Sequence, residues 1–329
     1  MTRLRYIATR TVQTVFLLWV VLTFLFFFFR LMPGDFTDVM LFQGVQPEQV
    51  EAFKEKWGLN DPIHIQYIRY MVNLMTLDAG VSLQTREPVF EFVRMKLFNS
   101  FVLIAPGITI GYILGTVLGT LLGYDRGSWR ERAGVMGTVL IGSMPSFLFA
   151  IFMIMIFAIW LDLVPTSGMI SPIEAGQFRD APWWRLYFSE DFALHYVLPV
   201  ATIALYYMNL PALIMRTSVV EVLNQDFIYY HRITGQSRIR RLRNIAKHAS
   251  LPVITIYPIS MTRAISGLVL IETVFNWPGM GFALVQAVLA RDFPVVQFVF
   301  FLVAALVLIG NFGVDILYGI IDPRVSVDD

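Results

Sequence analysis

The 329-residue sequence contains no cysteine and little charge, and both absences narrow what the chain can be. Without cysteine there is no disulfide, no thiolate nucleophile and no cysteine-ligated metal site. The four histidines lie too far apart for a paired-histidine metal motif. Charged residues make up 15% of the chain, whereas a soluble domain carries about a quarter. The net charge of +1 provides no field that would attract nucleic acid.

Nucleotide-binding and hydrolase motifs are also missing. No GxxxxGK[ST] pattern occurs, so the sequence predicts no ATP bound through a P-loop. No GxSxG pattern occurs either, and no loop carries a catalytic cluster. These absences disfavour an enzyme that acts inside the membrane.

Hydrophobic residues make up 57% of the chain and gather into six long apolar segments. Each segment can cross a hydrocarbon core of about 30 Å at a helical rise of about 1.5 Å per residue, so we predict an all-α membrane protein with six transmembrane helices. No signal-peptide cleavage pattern follows the first segment, so we expect this segment to be an uncleaved transmembrane span. The predicted spans are residues 11–32, 100–123, 134–161, 196–215, 251–275 and 294–320.

A polar insert, residues 33–99, separates the first two spans and predicts a small helical cap outside the membrane. Pro47–Trp57 has proline in its first turn and Gly58 after its end, which indicates a short helix. Pro62–Leu77 shows apolar residues at helical spacing and predicts a second helix. Pro88–Leu97 is expected to begin a third helix that continues into the next span.

Two spans carry patterns that predict how they pack. In the third span, Pro145 predicts a kink. In the second span, glycines recur at steps of four and form a smooth stripe on which another helix backbone can approach closely. Packing explains this stripe without any chemistry. Its members are Gly107, Gly111, Gly115, Gly119 and Gly123.

The most basic run of the chain lies between two spans, from Glu221 to Pro252. Within it, Leu223, Phe227 and Tyr230 fall at i, i+4 and i+7, so they predict a short helix with an apolar face that suits a groove on a partner. We predict that residues 217–250 form a cytoplasmic loop that docks on a separate ATPase. The predicted docking residues are Glu221, Leu223, Asp226, Phe227, Tyr230 and Gly235, where Gly235 ends the helix.

Membrane lipid is an alternative partner for this run. The basic segment Arg238–Lys247 can bind anionic headgroups by itself. Leu223–Tyr230 fits lipid headgroups less well, because its face is apolar and it contains Asp226.

The distribution of lysine and arginine predicts the orientation. Six spans place both termini on one side, together with residues 124–132 and the loop from Arg216 onward. These segments are richer in basic residues than the short loops of the opposite side. By the positive-inside rule, both termini and the docking loop are expected in the cytoplasm.

Few ionisable residues lie inside the predicted spans. The candidates are Arg263, Glu272 and Asp315. Arg263 lies about 18 Å into the fifth span at helical rise. We predict Arg263 and Glu272 as polar groups on a translocation path, able to meet charged groups of a substrate. The alternative is a structural ion pair of Arg263 with Glu272 or Asp315.

The docking run resembles the cytoplasmic loop of ABC-importer permeases of the dipeptide/oligopeptide/nickel branch. The matching positions are Ser218, Glu221, Val222, Leu223, Gln225, Asp226, Gly235, Leu251 and Pro252. Eight further blocks look like the family's and occur in its order: RLMPGDF at 30–36, GLNDPIHIQYIRY at 58–70, DAGVS at 78–82, RGSWRER at 126–132, MPSFLFA at 144–150, ETVFNWPGMG at 272–281, RDFPVVQ at 291–297 and DILYGIIDPR at 315–324. Together they cover nearly the whole chain.

The resemblance implies a type I ABC-importer permease fold and a set of partners. These are a second homologous permease, two cytoplasmic ATPase subunits and an extracytoplasmic substrate-binding protein. ATP and magnesium would be bound by the ATPase subunits, and this chain would need no cofactor. The family's Glu-Ala-Ala-like triplet is replaced here by Tyr229, Tyr230 and His231. The resemblance therefore does not determine which side chains enter the ATPase groove.

The resemblance also implies import in the cytoplasmic membrane of a prokaryote, with dipeptides or oligopeptides as the cargo. Nickel chelates and oligosaccharides stay open as alternative cargoes. A stand-alone secondary transporter is a different class of function. The long cytoplasmic loop and the scarcity of intramembrane acids disfavour it.

Overall fold

Helices form the regular secondary structure in the computed structural model, which describes residues 3–31, 41, 46–178, 181–225, 236–267 and 269–321. No strand occurs among these residues, only an isolated β-bridge between Val81 and Pro88, so the all-α prediction is confirmed. The helices are α1 (Arg3–Leu31), α2 (Pro47–Trp57), α3 (Ile63–Met75), α4 (Val89–Tyr124), α5 (Trp129–Ser143), α6 (Ser146–Met153), α7 (Pro172–Gln177), α8 (Glu190–Tyr207), α9 (Asn209–Leu223), α10 (Arg238–Ala249), α11 (Leu251–Gly267), α12 (Val269–Val274), α13 (Met280–Leu289) and α14 (Phe293–Ile321). A π-helical segment spans Ile154–Trp160, and a 3-10 helix spans Trp183–Phe188.

The chain divides into two compact units, Met1–Phe98 with Gly279–Asp329, and Asn99–Pro278. In the first unit α1 packs along α14. Near the end of α1, the Arg30 guanidinium lies 3.7 Å from the centre of the Phe26 ring. Its Nε and Nη2 both donate to Oε1 of Gln66 in α3, at 3.0 and 2.7 Å. The cation at the end of an apolar helix is therefore partnered within its own unit.

The predicted helices of the insert are confirmed. Helix α2 has the predicted bounds, and Gly58 follows it with a left-handed φ of 64°. Helix α3 lies inside the predicted Pro62–Leu77 segment. Helix α4 begins at Val89 and continues without interruption to Tyr124, as the sequence indicated.

Asp292 joins two sequence blocks of the first unit that are about 200 residues apart. Its carboxylate is buried and accepts hydrogen bonds from Ser82 Oγ at 2.5 Å, Leu83 N at 3.2 Å and Gln84 N at 3.3 Å. Ser82 Oγ in turn accepts from Thr85 N at 3.0 Å. The DAGVS and RDFPVVQ blocks are therefore joined by hydrogen bonds through Ser82 and Asp292.

The glycine stripe of α4 packs against α8 and α9 in the second unit. A Cβ on Gly111 would lie 2.6 Å from the carbonyl oxygen of Ala204, and one on Gly115 would lie 2.6 Å from Cγ of Pro211. Both separations are too short for any side chain. The stripe is a packing surface between helix backbones, as its spacing predicted.

The predicted kink at Pro145 is a sharp break between two helices. Helix α5 ends at Ser143, α6 begins at Ser146, and the two are bent by 109°. Proline lacks an N–H and clashes with the preceding turn, so a helix that reaches it ends or bends. The π-helical segment then continues the same apolar run.

Four helices among the described residues are long and apolar enough to cross a membrane: Tyr6–Leu31, Val89–Tyr124, Glu190–Leu223 and Phe293–Ile316. A fifth crossing results if the pair bent at Pro145 counts as one span. The fifth predicted span, residues 251–275, contains the shorter apolar helix Leu251–Thr262. The six-span count, with the boundaries given above, stays a prediction.

Two helices extend beyond the elements expected from the sequence. The fourth predicted span stops at residue 215, whereas α9 continues to Leu223. The connection between the last two predicted spans contains α13, which Pro278 and Gly279 precede immediately.

Candidate coupling and translocation sites

The end of α9 carries the two predicted docking residues that the structure describes. Glu221 is exposed, and Leu223 is half-buried against the core of the second unit. Asn224 N bonds the carbonyl oxygen of Glu221 at 3.2 Å, and this bond closes the helix. The other predicted docking residues, Asp226, Phe227, Tyr230 and Gly235, lie outside the described residues.

One detail of the predicted docking helix is wrong. The spacing placed Leu223 on one continuous helix with Phe227 and Tyr230. Helix α9 ends at Leu223, and residues 224 and 225 are a turn and a bend. Leu223 is therefore the last residue of a long helix that packs on the core, so it cannot belong to a helix that continues to Phe227.

The basic segment returns along α9 as the separate helix α10. Ile245 and Ala249 of α10 are buried in the same hydrophobic cluster as Val219 and Val222 of α9. Both residues lie on one face of α10, because a spacing of four brings side chains to the same side. The polar stretch between the predicted spans is thus anchored by an apolar contact on its return path.

An ion pair with a buried carboxylate fixes α9 to the first turn of α5. Arg216 of α9 donates through Nε to Oε1 of Glu131 at 2.9 Å, and its Nη2 donates to the same oxygen. The Glu131 side chain is only 8% exposed, and its Oε2 accepts from Gly127 N at 2.6 Å. Ser128 Oγ caps α5 by accepting from Glu131 N at 3.1 Å.

Sequence reasoning missed this pair. The Ser128-x-x-Glu131 spacing is the signature of a capping box and could have located the start of α5. Nothing local links Glu131 to Arg216, 85 residues away. A second contact lies nearby, where Arg238 Nη2 is 3.5 Å from Oδ1 of Asp125, and here the Arg238 side chain is exposed.

Of the two predicted path residues, the structure describes the side chain of Glu272 but not that of Arg263. Arg263 lies in α11, but its side chain is outside what the structure describes. Glu272 in α12 is 2% exposed and accepts a hydrogen bond from Ser100 Oγ at 2.6 Å. Asp315, an alternative partner for Arg263, has Arg10 Nε at 3.6 Å and accepts from Tyr6 through its backbone oxygen at 3.3 Å.

Hydroxyl groups join α4 to α11 within the apolar region. Thr109 and Tyr257 are hydrogen-bonded at 2.7 Å, and Tyr112 is hydrogen-bonded to Ser260. Each polar group is satisfied by another, as burial in an apolar surrounding requires. Asn209, at the break between α8 and α9, differs, because its Oδ1 is buried without a hydrogen-bond partner among the described residues.

A hydrogen-bond network with two aromatic residues, Tyr187 and Trp277, surrounds Asn99 in the second unit. Trp277 is fully buried and donates to the carbonyl oxygen of Asn99 at 3.0 Å. The Asn99 amide donates to Pro278 O at 2.9 Å and accepts from the Tyr187 hydroxyl at 2.5 Å. Burial raises the pKa of the Tyr187 phenol. The network orients the segment that follows Glu272 through Trp277 and Pro278, two residues of the ETVFNWPGMG block.

Comparisons with known proteins agree with this architecture. Residues 115–327 match the family described as binding-protein-dependent transport system inner membrane component, and residues 3–97 match its N-terminal family. The chain is 32% identical to a probable peptide ABC transporter permease protein of Sinorhizobium fredii, over 97% of this chain and 98% of the relative. It is 31% identical to the oligopeptide transport system permease protein AppB of Bacillus subtilis, over 98% of this chain and 99% of the relative.

Proposed function

We propose, since the chain belongs to the family of binding-protein-dependent transport system inner membrane components, that it is the permease subunit of an ABC importer for peptides. The observation that carries this proposal is similarity over nearly the full length to two peptide permeases. The family is a multi-pass membrane component and is not itself catalytic.

The proposed assembly follows from this role. A second similar permease completes the translocation path, and two ATPase subunits bind ATP and magnesium below the membrane. An extracytoplasmic binding protein delivers the peptide. We place the complex in the cytoplasmic membrane of a prokaryote, with both termini and the docking loop in the cytoplasm. The basic residues near these segments support that orientation.

The docking site is proposed at Glu221, Leu223, Asp226, Phe227, Tyr230 and Gly235. Helices α9 and α10 flank this segment, and both are anchored in the core of the second unit. The Glu131–Arg216 pair connects the middle of α9 to α5. A force applied between two anchored helices is transmitted to the spans that continue from them, as alternating access requires.

Reconstitution tests the proposal. The chain is expressed with its neighbouring transport genes, purified through a tag on this subunit and placed in proteoliposomes. We expect an ATPase to copurify in fixed stoichiometry, and we expect labelled dipeptides or oligopeptides to enter only with ATP and the binding protein. Ion-driven peptide uptake by this chain alone would overturn the proposal.

Changing Phe227 and Tyr230 together to serine is expected to uncouple ATP hydrolysis from transport. Loss of both aromatic rings removes the apolar surface that we propose for the ATPase groove. Peptide uptake should fall at least about tenfold, while the thermal stability of the permease is unchanged. Uptake and ATP hydrolysis are measured on the same proteoliposomes.

A matched control is the double change of Trp184 and Phe188 to serine. These two rings lie in the 3-10 helix of the second unit and are 50% and 82% exposed. They form a pair of exposed aromatics away from the proposed docking segment. Normal transport by the Phe227/Tyr230 variant would show that the docking face lies elsewhere.

We place Arg263 and Glu272 on the translocation path. A charged residue inside a membrane is retained where it faces protein or a water-filled cavity. Replacing Arg263 with glutamine is therefore expected to lower peptide uptake about tenfold or more without changing expression. Uptake is compared at equal amounts of purified complex. Unchanged uptake with normal expression would leave Arg263 with a structural role only.

A further inference from the structure

We propose that the outward face of α10 is a binding site for the phosphate headgroups of anionic phospholipids. The face consists of Arg240, Arg243 and Lys247, and all three are exposed. Their spacing of three and four residues aligns them on one side of the helix over about 10 Å. We call this set the basic stripe.

The basic stripe is held in a fixed orientation. Ile245 and Ala249 on the opposite side of α10 are 2% and 1% exposed and belong to the core cluster of the second unit. Because this contact fixes the rotation of the helix, the stripe always faces away from the protein core. A preoriented row of cations binds anions without the loss of entropy needed to assemble it.

The charges of α10 are poorly compensated within the protein. The helix contains no acidic residue, and Arg240, Arg243 and Lys247 have no carboxylate partner among the described residues. Arg238, Arg240 and Arg241 also occupy the first turn, where the helix dipole disfavours cations. Arg241 Nε is buried and has no hydrogen-bond partner in the described part of the chain. An external anion bound at the stripe would compensate the charges of Arg240, Arg243 and Lys247.

The position of the stripe favours a lipid as the source of that anion. Only Ser250 separates α10 from α11, which begins with Leu251 and Ile254, each 61% exposed. Ile239, beside the stripe, is 80% exposed. Exposed apolar side chains next to cations are typical of a helix at the boundary between headgroups and acyl chains. A soluble phosphate would leave Ile239 and Leu251 in water.

The proposal is tested by changing Arg240, Arg243 and Lys247 to glutamine in the full complex. The complex is titrated in detergent with phosphatidylglycerol or phosphatidylcholine, and bound lipid is counted by native mass spectrometry. Each basic side chain near an anionic surface contributes a factor of roughly five. The affinity for phosphatidylglycerol should therefore fall at least about tenfold, with the affinity for phosphatidylcholine unchanged.

Two matched variants separate the stripe from general electrostatics. Arg240→Lys with Arg243→Lys keeps the charge and should bind phosphatidylglycerol within about twofold of the parent. Arg126→Gln, Arg130→Gln and Arg132→Gln remove the same charge from exposed positions at and just before the start of α5 and should lose less binding. An equal loss in both glutamine triples would overturn the proposal. If the stripe triple cannot be purified, Arg243→Gln alone should weaken binding about fivefold.

The remaining outcome concerns the ATPase. If the stripe triple loses its copurifying ATPase but still binds phosphatidylglycerol normally, the stripe is a protein contact and the lipid proposal is wrong. The lipid proposal requires only that the chain is embedded in a membrane. It therefore stands or falls separately from the proposed docking residues.

Discussion

Replacing Gly111 with leucine is expected to abolish accumulation of folded protein. The three atoms nearest to an added Cβ all belong to the backbone of Ala204, at 2.6, 3.2 and 3.3 Å. Backbone atoms cannot rotate away as a side chain can, so α4 and α8 would have to separate. Overpacking a close contact destabilises by about 1–3 kcal/mol, and a leucine on the stripe lies at or above the upper end. The measurement is the yield and thermal midpoint of detergent-purified protein.

Gly137 offers a matched control for this substitution. It also lies in a helix that is part of an apolar run, but nothing is within 4 Å of a Cβ built on it. Leucine favours a helix over glycine by about 0.5–1 kcal/mol, so Gly137→Leu should be neutral or slightly stabilising. A Gly111→Leu protein as stable as the Gly137→Leu protein would contradict the close packing of α4 on α8.

The elements that could be predicted from sequence are those with a local signal. Helix α2 begins after Gln46 with proline in its first turn and ends at Gly58, and each boundary is encoded within a few residues. The glycine stripe follows from one helical period. Pro145 located the break between α5 and α6, but the 109° angle depends on what the two helices pack against.

The length of α9 shows why the rest could not be predicted. Hydropathy ended the fourth predicted span at residue 215, because a charged residue, Arg216, follows. In the structure Glu131 pairs with that charge, so the helix continues for seven further residues to Leu223. The partner comes from the first turn of α5, 85 residues away, which no pattern around Arg216 reveals. The same kind of contact joins Asp292 to Ser82 in the first unit.

Replacing Arg216 with methionine is expected to destabilise the second unit and to lower transport. The change keeps much of the length and apolar volume of the side chain but leaves the buried Glu131 carboxylate without its cation. Removing one partner of a buried ion pair costs about 3–5 kcal/mol. Because the Arg216 side chain is 34% exposed, solvent screening reduces this to about 2 kcal/mol. The thermal midpoint of the purified protein should therefore fall by several degrees.

The Asp125–Arg238 pair provides the control, because it lies in the same region but is longer and more exposed than the Glu131–Arg216 pair. Its side chains are 30% and 60% exposed and 3.5 Å apart, so Asp125→Asn should change stability by less than about 0.5 kcal/mol.

Exchanging the charges of the first pair, with Arg216→Glu and Glu131→Arg together, should recover part of the stability lost in the Arg216→Met protein. Since Arg216 lies between the part of α9 predicted to lie in the membrane and the proposed docking residues, peptide uptake should fall with the Arg216→Met change. Equal stability of the Arg216→Met and Asp125→Asn proteins would show that the buried pair does not hold α9 in place.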